Sequence, residues 1–177
     1  DASHYRPDLS PRADHRIVFV GRQDAEKHIE VLIRALALVD PSLDAHLDLV
    51  GEGEHRRHLH DLAVRLGVAD RVVQHGAVPD ERIVELLSGA SLFAIASIAE
   101  LQSIATLEAL SSGLPVVAAD AMALPHLVHD GENGWLFPPG DERAAADRIE
   151  RVLRMTPTER EAMQRRALET VKVHSLE

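Results

Sequence analysis

Short apolar segments alternate with longer amphipathic segments along almost the whole sequence, and this alternation limits the folds that the chain can adopt. Segments 92–96 and 115–119 carry no alternating polar residue, which is typical of strands buried on both faces of a parallel sheet. Strands that alternate with helices of this length form parallel βαβ units, so the sequence predicts an α/β fold with a Rossmann-like, doubly wound parallel sheet. Strands are predicted at 16–20, 45–50, 71–75, 92–96, 115–119 and 135–137, and helices at 26–39, 54–66, 80–88, 104–112, 125–129, 141–154 and 158–173.

The composition predicts one domain with an aliphatic core. Hydrophobic residues make up 45% of the 177 residues, but aromatic residues only 3%. The absence of cysteine excludes disulfides and thiolate–metal sites, and it fits a reducing compartment. The formal net charge of −10 argues against a broad nucleic-acid surface, and no apolar run approaches the ~20 residues of a membrane span. We therefore expect a soluble, cytoplasmic domain in which any phosphate ligand is held by a local site.

The two ends of the chain are less regular. Segment 1–14 is polar, contains two prolines and is expected to be a linker that leads into a domain at 15–177. Because no methionine starts the sequence, we interpret it as part of a longer protein. The closing pair, Leu176 and Glu177, is either native or a cloning remnant.

In a doubly wound sheet, ligands bind beyond the carboxyl ends of the strands, so the loops after the strands hold the candidate residues. After the first strand, Gly21 frees the backbone to turn, and Arg22 and Lys27 bracket the loop. Two cations there suit a diphosphate, Arg as a fork and Lys as a point charge. The alternative is a solvated loop with Lys27 in the first turn of a helix.

Gly51 and Gly53 follow the second strand and invite comparison with a dinucleotide fingerprint. The fingerprint would need a third small residue where Arg56 stands, and it should follow the first strand of the unit. The two glycines are therefore interpreted as positions where the backbone comes close to a ligand or to a neighbouring loop.

Glu100 and Glu108 flank the junction between the strand at 92–96 and the next helix. The start of that helix, near Ser103, offers unpaired N–H groups and a positive dipole end, which together suit an anion. A carboxylate further along can accept hydrogen bonds from a sugar or ribose diol. The alternative is two surface glutamates, one of which helps to cap the helix.

The histidines do not predict a metal site. Three of the 11 cluster on one predicted helix, and two more lie three residues apart. Zinc would need an i, i+4 pair and a third ligand, so we expect surface histidines and no metal. The residues concerned are His55, His58, His60, His126 and His129.

In combination, these segments resemble the carboxyl-terminal domain of the retaining glycosyltransferases with the two-domain GT-B fold (family 4, the glycosyl transferases group 1). Each matching piece is short, but they occur in the family's order along nearly the whole chain. The pieces are the linker at 1–7, the basic pair at 21–27, the strand ends at 50–53 and 73–79, the E-x7-E motif at 100–108, its continuation at 108–118, and the segments 130–134 and 138–141.

The resemblance implies a role for each matched residue. Arg22 and Lys27 would neutralise the donor diphosphate and stabilise the leaving nucleotide, and Glu100 would contact the transferred sugar. Glu108 would hold the ribose hydroxyls. The remaining donor-binding positions are Gly51, the base contacts Gly76, Ala77 and Val78, and the phosphate-binding amides of Gln102, Ser103 and Ile104.

The chain departs from the family's pattern at two places. Many members have Gly-Phe-Gly where this chain has Leu101, Gln102 and Ser103, and the Ser103 side chain occupies space that a glycine leaves open. This variant also resembles the motif of some members that glycosylate membrane lipids. His28 stands where many members have glycine, which places a further titratable group near the phosphates.

The resemblance implies retaining transfer of a hexosyl group from a nucleoside-diphosphate sugar, such as a UDP- or GDP-sugar, to an acceptor hydroxyl, with no cofactor or metal. The acceptor, for example a lipid or a glycoconjugate, would bind an amino-terminal domain absent from this sequence, which would also carry any membrane association. The chain alone is expected to bind donor but not to turn over. The alternatives are half of a sugar-nucleotide epimerase and a non-catalytic nucleotide-binding module, such as a dinucleotide sensor.

Overall fold

A single parallel sheet of six strands organises the chain in the computed structural model, which describes residues 5–12 and 14–175. The predicted Rossmann-like α/β fold is confirmed. The strands are β1 (His15–Val20), β2 (Ala45–Val50), β3 (Val72–Gly76), β4 (Leu92–Ile95), β5 (Val116–Ala119) and β6 (Gly134–Phe137). The helices are α1 (Ile29–Leu38), α2 (Arg56–Arg65), α3 (Asp80–Gly89), α4 (Ile104–Ser111), α5 (Leu124–Leu127), α6 (Glu142–Leu153) and α7 (Pro157–Ser175).

The strand order β3-β2-β1-β4-β5-β6 places the topological switch between β1 and β4. β1 pairs along its whole length with β2 and, on its other side, with β4 through Ile17 and Val18. The chain leaves these two strands in opposite directions, so their following loops diverge over a crevice at the carboxyl edge of the sheet. A ligand site is therefore expected between the loops after β1 and β4.

Helices cover both faces of the sheet. Helices α1, α2 and α6 form one packed group, and helices α4, α5 and α7 form another. Every residue of β4 and β5 is therefore buried. Aliphatic side chains fill most of the core, and Phe19 and Phe93 stack at 6.3 Å between ring centroids. Of the two aromatic residues in β6, Phe137 is buried, whereas Trp135 is partly exposed and covered by the guanidinium of Arg151.

Two predicted helix starts are wrong. The helix predicted from residue 26 begins at Ile29, because Ala25–Lys27 forms a 3₁₀ turn and His28 has a φ of +50°. That left-handed conformation, which glycine adopts more readily than other residues, interrupts the helix. Similarly, the helix predicted from residue 54 begins at Arg56.

The described part of the predicted linker packs on the domain. Arg12 is the anchor, because its guanidinium donates hydrogen bonds to four carbonyl oxygens, those of Asp8, Ser10, Ser88 and Ala90. Gln164 of α7 also donates to the carbonyl of Asp8. Residues 1–4 and 13 of the predicted linker, and the closing pair at 176–177, lie outside the described residues.

A buried carboxylate ties the first three strands together. Asp48 in β2 is 2% exposed and accepts two hydrogen bonds from Arg16 of β1, both 2.7 Å long, and one of 2.8 Å from Nε2 of His75 in β3. Burial alone would raise the pKa of Asp48. The hydrogen bonds and charges of Arg16 and His75 outweigh it and hold the pKa below its usual 3.8.

Replacing Asp48 with Asn is expected to lower the free energy of unfolding by about 3 kcal/mol at neutral pH, because the substitution leaves Arg16 without its counter-charge. The folded-state pKa of Asp48 is depressed, so its contribution is present above the usual value and is lost as pH falls through the lower one. Urea unfolding at several pH values should therefore show the difference between variant and wild type shrinking below pH 3.8. Asp44→Asn is the matched control, since its side chain is 81% exposed; an equal loss in both variants would contradict the expectation.

Candidate functional site

Two adjoining cavities lie at the carboxyl edge of the sheet and together form a cleft at the switch point. Both are lined by Val20, Gly21 and Ala105. The first has a volume of 460 Å³ and lies between the β1 loop and the loop that follows β4. The second has a volume of 320 Å³ and extends towards α3 and the start of the described chain. We refer to them as the first and second cavities of the cleft.

Lys27 and Glu100 meet in the first cavity. Nζ of Lys27 donates a hydrogen bond of 2.7 Å to Oε1 of Glu100, and the two side chains are 23% and 16% exposed. The loop after β1 supplies the lysine and the loop after β4 the glutamate, so the ion pair bridges the crevice. In partly desolvated surroundings the attraction is screened less than at the surface.

The amino terminus of α4 also lines the first cavity, through Gln102, Ser103 and Ile104. First-turn amide groups have no acceptor within their own helix, and the helix dipole adds a positive partial charge there. Ser103 has a φ of +46°, a conformation that favours glycine, and its buried Oγ lies 2.5 Å from Oγ1 of Thr106. The serine hydroxyl is therefore engaged with the helix.

Glu108 lies in the second cavity with Asp80 and Ile83 of α3. Tyr5 lines the same cavity and its hydroxyl is hydrogen-bonded to Glu108; burial, together with this carboxylate, raises the pKa of Tyr5 to about 12. Nothing in the sequence pattern predicts Tyr5 as a site residue, because it lies in the segment expected to be a linker. Only the packing of that segment on the domain brings the phenol to Glu108.

Arg22 stands apart from both cavities. Its side chain is 65% exposed, and its Nε donates a hydrogen bond of 2.9 Å to Asp24, which raises the pKa of the arginine. The base-contact positions expected at the end of β3, Gly76, Ala77 and Val78, likewise line neither cavity. The structure therefore brings together Lys27, Glu100 and the α4 amides, places Glu108 beside them, and leaves Arg22 and the β3 end outside.

Gly51 and Gly53 pack against the loop after β1. A Cβ atom on Gly51 would lie 2.0 Å from the carbonyl oxygen of Gly21, and one on Gly53 would lie 2.4 Å from that of Gln23. Backbone hydrogen bonds join the same segments, including Gln23 N–H to Glu52 and His55 N–H to Gln23. The sequence left two reasons for these glycines, a ligand or a neighbouring loop, and in the structure it is the loop after β1 that approaches their backbone. Gly51 lines neither cavity of the cleft.

In the residues that the structure describes, no group of three or more His, Asp or Glu side chains lies close enough to hold a metal ion. Among the described helices, none is both long and apolar enough to cross a bilayer.

Sequence comparison decides the family. The profile described as "Glycosyl transferases group 1" matches residues 5–170, which include both cavities of the cleft. The chain belongs to the glycosyl transferases group 1 family. An uncharacterized glycosyltransferase of Methanocaldococcus jannaschii is 34% identical over 150 residues, covering 82% of this chain and 38% of that protein. D-inositol 3-phosphate glycosyltransferase of Corynebacterium diphtheriae is 36% identical over 149 residues, covering 80% of this chain and 35% of that protein.

Solved structures of similar fold extend this result. HepE of Anabaena, in complex with UDP and glucose, superposes with a TM-score of 0.83 at 28% identity, over 90% of this chain and 44% of that one. The catalytic domain of cholesterol-alpha-glucosyltransferase from Helicobacter pylori superposes with a TM-score of 0.81 at 30% identity, over 92% of this chain and 99% of that one.

This chain spans less than two fifths of the length of the two curated relatives above.

Replacing Gly51 with Ala is expected to lower the free energy of unfolding by more than about 3 kcal/mol, because the added carbon meets a backbone oxygen that cannot move independently. Its φ of +135° adds strain. Gly89→Ala is the control: its Cβ would meet nothing within 4 Å, so a change of about 0.4–1 kcal/mol in the stabilising direction is expected. Urea unfolding measures both, and a Gly51→Ala chain as stable as wild type would show that the loops are not tightly packed.

Proposed function

We propose that this chain is the donor-binding half of a retaining GT-B glycosyltransferase of family 4, which transfers a hexosyl group from a nucleoside-diphosphate sugar to an acceptor hydroxyl. The observation that carries the proposal is the first cavity: Lys27, Glu100 and the amino terminus of α4 converge at the switch point of a glycosyl transferases group 1 domain. A cation and a set of backbone amides suit a diphosphate, and a carboxylate beside them suits sugar hydroxyls.

Lys27 is proposed to exchange its partner when the donor binds. In the structure its charge is satisfied by Glu100 at 2.7 Å. A diphosphate in the same cavity would draw the ammonium onto its oxygens and release Glu100 to accept hydrogen bonds from the sugar. As the leaving nucleotide gains charge during transfer, Lys27 and the α4 amides would stabilise it. Arg22 would contribute only after leaving Asp24, which holds it outside the cleft.

Glu108 and Tyr5 are proposed to bind the ribose. The phenol donates to the Glu108 carboxylate, which leaves further lone pairs of that carboxylate for the ribose hydroxyls. HepE, similar in fold, has been solved with UDP-glucose, so uridine nucleotides are the first probes for this chain. The base would extend from the second cavity towards Gly76, Ala77 and Val78 at the end of β3.

The remaining properties of the whole enzyme are also proposals. The acceptor would bind a part of the protein outside this sequence, since the curated relatives are much longer than the region matched here. We propose a cytoplasmic location, no metal, and any membrane association through that other part. The purified chain is expected to bind donor without transferring sugar.

The first test is the affinity of the purified chain for UDP and UDP-glucose, measured by isothermal titration calorimetry. Lys27→Met is expected to weaken binding at least about tenfold, because it removes a charge-assisted hydrogen bond to phosphate. Lys172→Met on α7 is the matched control and should bind as wild type. If NAD bound while no UDP- or GDP-sugar did, the transferase proposal would fail in favour of a dinucleotide module.

Inorganic pyrophosphate, used as a second ligand, distinguishes the roles of Glu108 and Tyr5 from those of the residues proposed to bind the diphosphate. Glu108→Gln is expected to weaken UDP binding about tenfold and to leave pyrophosphate binding unchanged, because the ribose contacts are lost and the phosphate contacts are not. Tyr5→Phe should show the same pattern with a smaller loss. Equal weakening of both ligands would contradict a ribose role for Glu108.

Release of UDP from UDP-glucose reports turnover by the chain alone. No release is expected with or without simple alcohol acceptors, because the acceptor site would be missing. Sugar transfer by the chain of 177 residues would contradict the proposal that the donor and the acceptor bind in separate halves of the enzyme. Acceptor-independent release of free UDP would instead favour the epimerase alternative.

A further inference from the structure

A third cavity, of 110 Å³, lies at the amino edge of the sheet, on the side opposite the cleft. The starts of β1 and β4 contribute His15 and Ser91, and the corner between α6 and α7 contributes apolar walls. Arg12 and Arg160 also line it, so two arginines border one small space. The proposed transferase chemistry uses none of these residues.

Arg160 is a buried cation that lacks a counter-charge. The residue is 8% exposed, its Nε is buried without a hydrogen-bond partner, and its Nη2 lies a long 3.4 Å from the carbonyl oxygen of Ala90. The same oxygen already accepts a bond of 2.8 Å from Arg12. Within residues 5–12 and 14–175, no carboxylate lies within ion-pair distance of Arg160.

The neighbouring groups do not neutralise this charge. Two exposed carboxylates, those of Asp8 and Asp14, act on Arg12 and not on Arg160, and Asp8 comes no nearer to Arg12 than 4.0 Å. Glu159 caps α7 through Thr156. The side-chain oxygen of Gln164, one turn along α7, is also buried without a partner. That amide oxygen is a hydrogen-bond acceptor, but it carries no negative charge.

Arg160 remains charged at neutral pH. Burial, and then the positive charge of Arg12, lower the pKa of Arg160 to about 10, which is still well above 7. A buried, charged guanidinium without a counter-ion is strongly unfavourable. The start of α7, a helix of 19 residues, adds a positive partial charge at the same corner.

We propose that this cavity, which we call the arginine pocket, binds a small inorganic anion such as chloride between Arg160 and Arg12. The volume admits an ion of that size but not a nucleotide. Apolar side chains on one wall, including Val152 and Met155, lower the local dielectric and so strengthen the attraction. Because Arg12 anchors residues 5–12 while Arg160 belongs to α7, the bound anion would hold the start of the described chain against that helix.

Urea unfolding of the purified chain tests the proposal when sodium chloride replaces sodium gluconate at constant ionic strength. An ion that binds only the folded state raises the ratio of folded to unfolded chain, and above its dissociation constant each tenfold increase in chloride raises that ratio about tenfold. Arg160→Met should abolish the dependence. Arg166→Met, on the same helix with a side chain 56% exposed, should keep it.

Crystals soaked in sodium bromide give an independent readout from the wild-type chain, because anomalous scattering locates the ion whether or not Arg160→Met folds. The proposal expects bromide in the arginine pocket together with chloride-dependent unfolding of the wild type. An equal dependence in wild type and Arg160→Met would overturn it, as would a pocket without bromide. Bromide in the pocket without any effect of chloride on unfolding would indicate binding at crystal concentration only, and would also overturn it.

Discussion

The pairing of β1 with β2 on one side and β4 on the other is the constraint from which the cleft follows. The carboxyl ends of β1 and β4 become neighbours, while their connections leave towards different parts of the sheet. Lys27 and Glu100 belong to the two diverging loops and meet at 2.7 Å. In the proposed function, an incoming diphosphate must therefore offer Lys27 a better partner than the partly buried carboxylate of Glu100. The structure holds the cleft as an ion pair, and donor binding would exchange its partners.

The loop that carries Lys27 is held by backbone contacts. Gly51 and Gly53 allow the loop after β2 to approach the segment from Gly21 to Gln23 so closely that no side chain fits between them. Gln23 is fully buried, and its backbone and side chain form hydrogen bonds with Gly51, Glu52 and His55, all in the segment after β2. The glycines therefore act on the cleft indirectly, by fixing the loop from which the lysine projects.

Hydrophobic periodicity was enough to predict all six strands, because β4 and β5 are uninterrupted apolar runs and the intervening helices have clear apolar faces. It could not predict the start of α1, since the left-handed conformation of His28 leaves no trace in an apolar pattern. The family motif led to Lys27, Glu100 and Glu108. The motif could not identify Tyr5, because its contact with Glu108 depends on how a segment without periodicity packs on the folded domain.

Two arginines, one partly buried and one buried, show how differently this chain treats a cation that is shielded from solvent. Arg16 has a fixed partner, since Asp48 accepts both of its hydrogen bonds within the sheet. Arg160 has no such partner in the described residues, although 29 acidic residues outnumber 19 basic ones in the sequence. The net charge of −10 repels anions at long range, so an anion site on this protein has to rely on short-range contacts in a region of low dielectric. The first cavity and the arginine pocket both meet that condition, at opposite edges of the same sheet.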